Sequence, residues 1–162
     1  MTSQVLRSQV FQRHPSVDAF VSLIRSNSAL TRALNADLVN EHGLTINDYE
    51  VLLLLAQAPD RRLRRVDLAS AVLLTASGIT RLLDGLEQAG CVTKAQCETD
   101  ARVTYAVLTD EGLAKLREAG ETHVAGIREY FESRFSEEEL KTLASLLGRL
   151  PVDGDAPACT AD

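Results

Sequence analysis

Ser77, Thr80 and Arg81 stand close together in "TASGITRLLDGLEQAG" (75–90), and the chemistry they share is reading the edges of base pairs. A hydroxyl donates or accepts there, a threonine methyl packs against thymine, and a guanidinium grips guanine through two parallel hydrogen bonds. Helical spacing separates them from Ile79, Leu82, Leu83, Leu86 and Ala89, which form an apolar stripe. Thr75 is the expected N-cap, and its hydroxyl and the free amides of the first turn suit a phosphate. Gly78 costs the helix roughly 1 kcal/mol relative to alanine, and fits where a side chain would hold the helix off a neighbour. Asp84 and Glu87 fall toward the far end, away from such a phosphate. A Ser/Thr/Arg face by itself is more often a solvated surface, so the weight rests on what surrounds it.

Beyond Gly90 the period changes. "CVTKAQ" (91–96) and "RVTYAVLT" (102–109) alternate and are rich in valine and threonine, so they read as two strands with the polar "CETDA" as hairpin tip. Lys94 carries a positive charge on the first strand. Arg102 lies just past the tip, where an arginine can enter a narrow minor groove of enhanced negative potential. Asp100 is placed to hold that guanidinium in a charge-assisted pair; the plainer alternative is an exposed salt bridge of little energetic value.

The elements that position these residues emerge from the same signals. "VDLASAVLL" (66–74) is a short helix, with a turn near Leu74–Thr75 before the one quoted. Two helices so joined are a helix-turn-helix, and a hairpin directly after it makes a winged helix. Upstream, Val17, Phe20, Val21, Ile24, Leu30, Leu34 and Leu38 recur at three and four from Pro15 to Glu41, one long amphipathic helix stopped at Gly43. Thr45 caps "INDYEVLLLLAQA", with Asp48 in the capping-box position. Thr109 caps a helix reaching about Phe131–Arg134, and Ser136 with Glu139 opens a last one to about Leu150. The division expected is an N-terminal arm (1–15), dimerisation helices (16–44 and 110–150), a winged helix-turn-helix lobe (45–109) and a disordered tail (151–162). The fold class is mainly α with a small β-hairpin.

Composition narrows the function classes. Net charge is −6, yet residues 61–105 hold seven Lys/Arg and five Asp/Glu, a local +2 inside a remainder of −8. A locally basic middle in an acidic chain suits one face meeting phosphate. With no tryptophan and 4% aromatics, a stacking platform for single strands is not expected. No apolar run approaches the roughly 20 residues of a membrane span, and the first residues lack a secretory apolar core, so a cytoplasmic protein without membrane contact is expected. His14, His42 and His123 are scattered and no Cys-x-x-Cys occurs, so neither metal nor cofactor is expected. No nucleophile elbow, phosphate loop or dinucleotide fingerprint appears, and an enzyme is not expected.

"DLASAVLLTASGITRLLDGLEQAGCVTKAQCETDARVTYAVLTDEG" closely resembles the multiple-antibiotic-resistance regulator (MarR) family of winged-helix transcription factors. The matching features are Leu68-Ala69, "TRLLDGLEQAGCV" at 80–92, "DAR" at 100–102 and "LTDEG" at 108–112, and the order of helices fits from about 16 to 149. Cys91 departs from the family's leucine or tyrosine, and Lys94 from its arginine, keeping the charge but losing the planar fork. The resemblance implies a homodimer presenting two lobes to a pseudo-palindromic operator in double-stranded DNA. It also implies repression relieved by a small phenolic or aromatic anionic ligand.

Carried across, Ser77, Thr80 and Arg81 match the recognition-helix contacts and Arg102 the wing-tip arginine. The ligand pocket would draw on Phe20, Ile24 and Arg25 of the first helix and Tyr49 and Leu53 of the second, with Arg13, His14 and Arg25 meeting an anion. Two alternatives remain open. One is a winged-helix module for protein contacts; the other is a thiol-responsive repressor using Cys97, beside Lys94, or Cys91, which also suits a buried small hydrophobe.

Overall fold

The structure, a computed structural model, describes residues 14–96 and 103–150. The chain separates into two compact units, Met1–His123 and Val124–Asp162.

The first unit opens with α1 (Pro15–His42), where Pro15 occupies the first turn and His14 is the cap. Gly43, at φ +65°, ends it in the left-handed region that glycine enters without penalty. The Thr45–Asp48 capping box then starts α2 (Ile46–Gln57). A 3-10 turn at Pro59–Arg61 leads into β1 (Arg62–Arg64), followed by α3 (Arg65–Ala71) and α4 (Ala76–Gln88). Strands β2 (Val92–Gln96) and β3 (Thr104–Leu108) come next, then α5 (Asp110–Glu132). The expected helices and strands are all present, with shifted ends.

The sheet has three strands, not the expected two. β3 is central, pairing antiparallel with β2 (Lys94 opposite Ala106) and with β1 (Leu63 opposite Ala106). β1 has three residues with one apolar side chain, too little for alternation to register, and pairing with β3 alone makes it a strand. The core of this unit gathers α1 (Leu38), α2 (Val51, Leu52, Leu55), α3 (Leu68), α4 (Ile79, Leu83, Leu86), the sheet (Val92, Ala106, Leu108) and α5 (Leu116, Ala119). Among the described residues none of the buried ones is polar or charged. Ala89, expected on the apolar stripe, is exposed, because the stripe ends with the helix at Gln88.

Two joints hold α4 in place. At its start α3 ends in a Schellman motif, Leu74 N–H donating to Ala69 C=O (2.9 Å) and Leu73 N–H to Ser70 C=O (3.4 Å). Leu73 takes the left-handed position, φ +53°, which stops α3 at Ala71 and not at the expected Leu74. At the far end Thr109 Oγ1 donates to Gly90 C=O (2.7 Å) and accepts from Gly112 N–H (2.9 Å). A Cβ on Gly112 would overlap the Cys91 carbonyl oxygen, so α5 packs on this corner through glycine.

In the second unit, α5 finishes at Glu132 and Ser136 opens α6 (Glu137–Leu147) with a capping box, Ser136 N–H donating to the Glu139 carboxylate (2.8 Å). α6 stops short of the expected Leu150 and buries no residue. Phe131 and Phe135 pack with ring centroids 6.2 Å apart. The expected arm and tail lie outside the described residues, except for His14 and Pro15.

Candidate nucleic-acid interface

α4 turns one side to the core and the other to solvent. Ile79, Leu83 and Leu86 are at most 3% exposed, fixing the helix's rotation, so Ser77 and Arg81 stand outward. Thr75 is the N-cap as expected, its Oγ1 accepting from Gly78 N–H at 3.1 Å and lying 3.2 Å from Ser77 Oγ. The reason for Gly78 is local. A Cβ there would come within 3.2 Å of Thr75 Oγ1, so glycine leaves room for the cap rather than for another helix.

Thr80 and Lys94 are engaged in ways the sequence does not signal. Thr80 is half-buried, its hydroxyl donating to Ala76 C=O (2.8 Å) and accepting from Arg65 (3.2 Å). Lys94 reaches from β2 to α4 and pairs with Asp84 (2.6 Å) and Glu87 (2.7 Å). Those hydrogen bonds hold its pKa above that of an ordinary lysine, Asp84 contributing most. Between them lies a cleft of about 160 Å³ lined by Arg65, Thr80, Lys94 and Tyr105.

Three further cations of the basic middle are also partnered. Arg61 pairs with Asp110 (2.8 Å), and Arg64 meets Asp67 through two hydrogen bonds (2.7 and 2.9 Å). Arg62 lies 3.8 Å from Asp60 and 5.3 Å from the Tyr105 ring centre. Arg81 has neither ion pair nor hydrogen bond among the described residues, and it is exposed. Asp100, Arg102 and Cys97 lie outside the described residues.

The residues expected to line a ligand pocket have different surroundings. On α1, Phe20 (63% exposed), Ile24 and Arg25 stand in water, and His14 caps the helix by accepting from Ser16 N–H. No described residue of the first unit buries them, because α1 packs against the core through Leu34 and Leu38, farther along. Arg13 lies outside the described residues. Leu53 is half-buried against the core. Tyr49 is half-buried too, its ring 4.8 Å from that of His123.

In the sequence His123 is one of three scattered histidines and carries no assigned role; the structure gives it a place. Its Nδ1 is buried without a partner among the described residues, and burial lowers its pKa. The signal that could have found it is helical spacing from Leu116 and Ala119, which puts position 123 on the inward side of α5. Among the described residues no three His, Cys, Asp or Glu side chains converge as metal ligands. Cys91 is buried and burial pushes its thiol up, which disfavours the thiolate a sensor needs.

A capped helix with an apolar back, a free arginine outward, a partner helix across a short turn and an antiparallel strand pair behind it define a winged helix-turn-helix, the architecture of DNA-binding regulators. A sequence model of the MarR family matches residues 42–103. The HTH-type transcriptional regulator MhqR of Bacillus subtilis is 31% identical over 85% of this chain and 92% of its own. The HTH-type transcriptional repressor YetL of the same organism is 32% identical over 86% and 85%. The MarR family transcriptional regulator Sco3205 of Streptomyces coelicolor, solved in complex with DNA, superposes with a TM-score of 0.71 at 31% identity, covering 86% of this chain and 90% of its own. The chain belongs to the MarR family and is a DNA-binding transcriptional regulator.

Proposed function

We propose that this regulator binds a pseudo-palindromic operator as a homodimer, represses transcription in the cytoplasm, and releases the DNA when a small phenolic or aromatic anion binds. The observation that carries the DNA-reading part is Arg81, exposed and without a partner among the described residues, beside Ser77 on a helix whose rotation is fixed by three buried residues. α4 enters the major groove with its first two turns; Arg81 takes a guanine and Ser77 an adjacent base edge. Thr75 and the first-turn amides take phosphate. Thr80 presents its methyl rather than its hydroxyl, which Arg65 and Ala76 already occupy. Lys94 ties β2 to α4, and Arg102 supplies the wing's contact with the minor groove, Asp100 orienting it.

Support for the homodimer comes from apolar side chains left in water. On α1 these are Val17, Phe20, Val21 and Ile24; on α6 they are Leu146 and Leu147. A two-fold axis through such stripes sets two recognition helices about 34 Å apart, one turn of DNA. For the ligand, the support is His123. Its orphaned Nδ1 beside Tyr49 is the kind of unsatisfied group that a bound acid or phenol would pair.

The test is fluorescence anisotropy on duplex DNA from upstream of the protein's own gene, against a scrambled duplex. Sequence-dependent binding is expected, with Arg81→Ala relaxing discrimination by about 1–3 kcal/mol. Arg102→Ala should weaken binding and lower the salt slope by about one unit per arm at most. Salicylate should displace the duplex from the wild type and less from His123→Phe. Weak binding of both duplexes, unchanged by Arg81→Ala, would instead make the winged helix a protein-contact module.

A further inference from the structure

Leu73 is the most exposed large apolar side chain among the described residues, at 92%. It also sits at φ +53°, the left-handed position of the Schellman motif that ends α3. Glycine is the ordinary residue there, because a Cβ strains that conformation. Leu74, the next residue, packs against the core as the motif requires. The fold therefore uses Leu74 and gains nothing from the side chain of Leu73, which is strained and in water at once. Leucine at this point calls for an occupant outside the chain.

The neighbours indicate which occupant. Leu73 lies two residues before Thr75, the cap of α4, and the exposed residues around it in sequence are Ser70, Ala71, Thr75, Ala76 and Ser77. One leucine among small and hydroxyl residues is too little apolar surface for a protein partner, whose contact core needs a contiguous patch. It is the right size for a single methyl group. We infer that Leu73 is a specificity-determining residue that packs on the 5-methyl of a thymine in the major groove, next to the base read from the first turn of α4. Thymine is the base that offers an apolar group there. This inference rests on the reading that α4 enters the major groove.

The test uses the full chain and a duplex selected by the wild-type protein from a random library. Leu73→Gly relieves the strained torsion while removing the side chain; Leu73→Ala removes the side chain alone. Leu73→Gly should unfold at or above the wild-type temperature, yet bind the selected duplex about tenfold more weakly, and Leu73→Ala should bind as weakly. Replacing each thymine in turn by deoxyuridine should identify one position per half-site where wild type loses affinity and Leu73→Gly does not. Equal binding by wild type and both variants, or a wild type indifferent to every uracil, would overturn the assignment. So would a change in oligomeric mass with Leu73→Gly, which would make a second copy the occupant. Arg81→Ala separates the two levels: if it relaxes specificity and Leu73→Gly does not, only Leu73 is misassigned. If neither variant has any effect, the major-groove reading of α4 fails with it.

Discussion

α4 and α6 carry the same kind of amphipathic pattern and end in opposite states. The apolar residues of α4 (Ile79, Leu83, Leu86) are at most 3% exposed, whereas Leu146 and Leu147 of α6 are 49% and 38% exposed. The first half of α1 resembles α6, with Phe20 and Ile24 in water. Burial of a leucine-sized side chain is worth about 1.5–3 kcal/mol, so α4 is held by its own chain while these stripes await an equal gain. A periodic stripe thus specifies a face suited to burial, not whether its own chain buries it. The core of the first unit is closed by its own chain; the apolar stripes of α6 and of the first half of α1 are not.

Placing charge on the uncovered stripe should have the largest effect. Leu146→Asp with Leu147→Asp should halve the mass seen in sedimentation and weaken operator binding roughly a hundredfold or more, since the two lobes then bind singly. The far-UV spectrum should change little. A variant that remained dimeric and bound tightly would break the contrast between lobe and arms.

Within the lobe, Gly112→Ala should cost about 3 kcal/mol in thermal or denaturant unfolding, because the new Cβ meets backbone at Cys91 and not a side chain that can move. Cap removal sharpens the contrast further. Thr75→Ala and Ser136→Ala should each cost about 1 kcal/mol of helix stability. The first should lower the cooperative unfolding midpoint, as α4 is part of the core. The second should appear mainly as faster amide exchange in α6, which buries nothing.

The smallest effect is pH dependence from His123. Burial lowers its pKa below the unfolded value of about 6.5. The unfolded chain therefore binds the proton more readily, and stability falls as pH drops through and below about 6.5. Denaturation midpoints at pH 7.5 and 5.5 should show this loss in the wild type and less of it in His123→Phe. An identical loss in both would assign it to other groups.

Helix positions were legible because their caps are chemical. The Thr45–Asp48 and Ser136–Glu139 boxes, Thr75, Thr109, Gly43 and Gly90 each act over three or four residues, within reach of a reading along the chain. So was the outward face of α4, since Ile79, Leu83 and Leu86 determine its rotation. β1 was not legible: three residues become a strand only when β3 arrives, two helices and a strand later in the chain. Nor was the fate of charge. Lys94 reads as a positively charged DNA contact until Asp84 and Glu87 prove to lie within 2.7 Å, and Arg81 is distinguished from its neighbours by lacking such a partner among the described residues.

The sequence by itself determined the order of elements, the ends of most helices and the family, and it nominated the residues proposed to read DNA, because periodicity, capping and turn chemistry are local. Tertiary structure decided which eligible residues are free. It engaged Thr80 with Arg65, took Lys94 into a carboxylate pair and brought His123 against Tyr49. It also left Leu73 in water next to the start of α4. The physical reason is that a side chain's availability depends on neighbours distant in sequence, and only the packed chain brings those neighbours together.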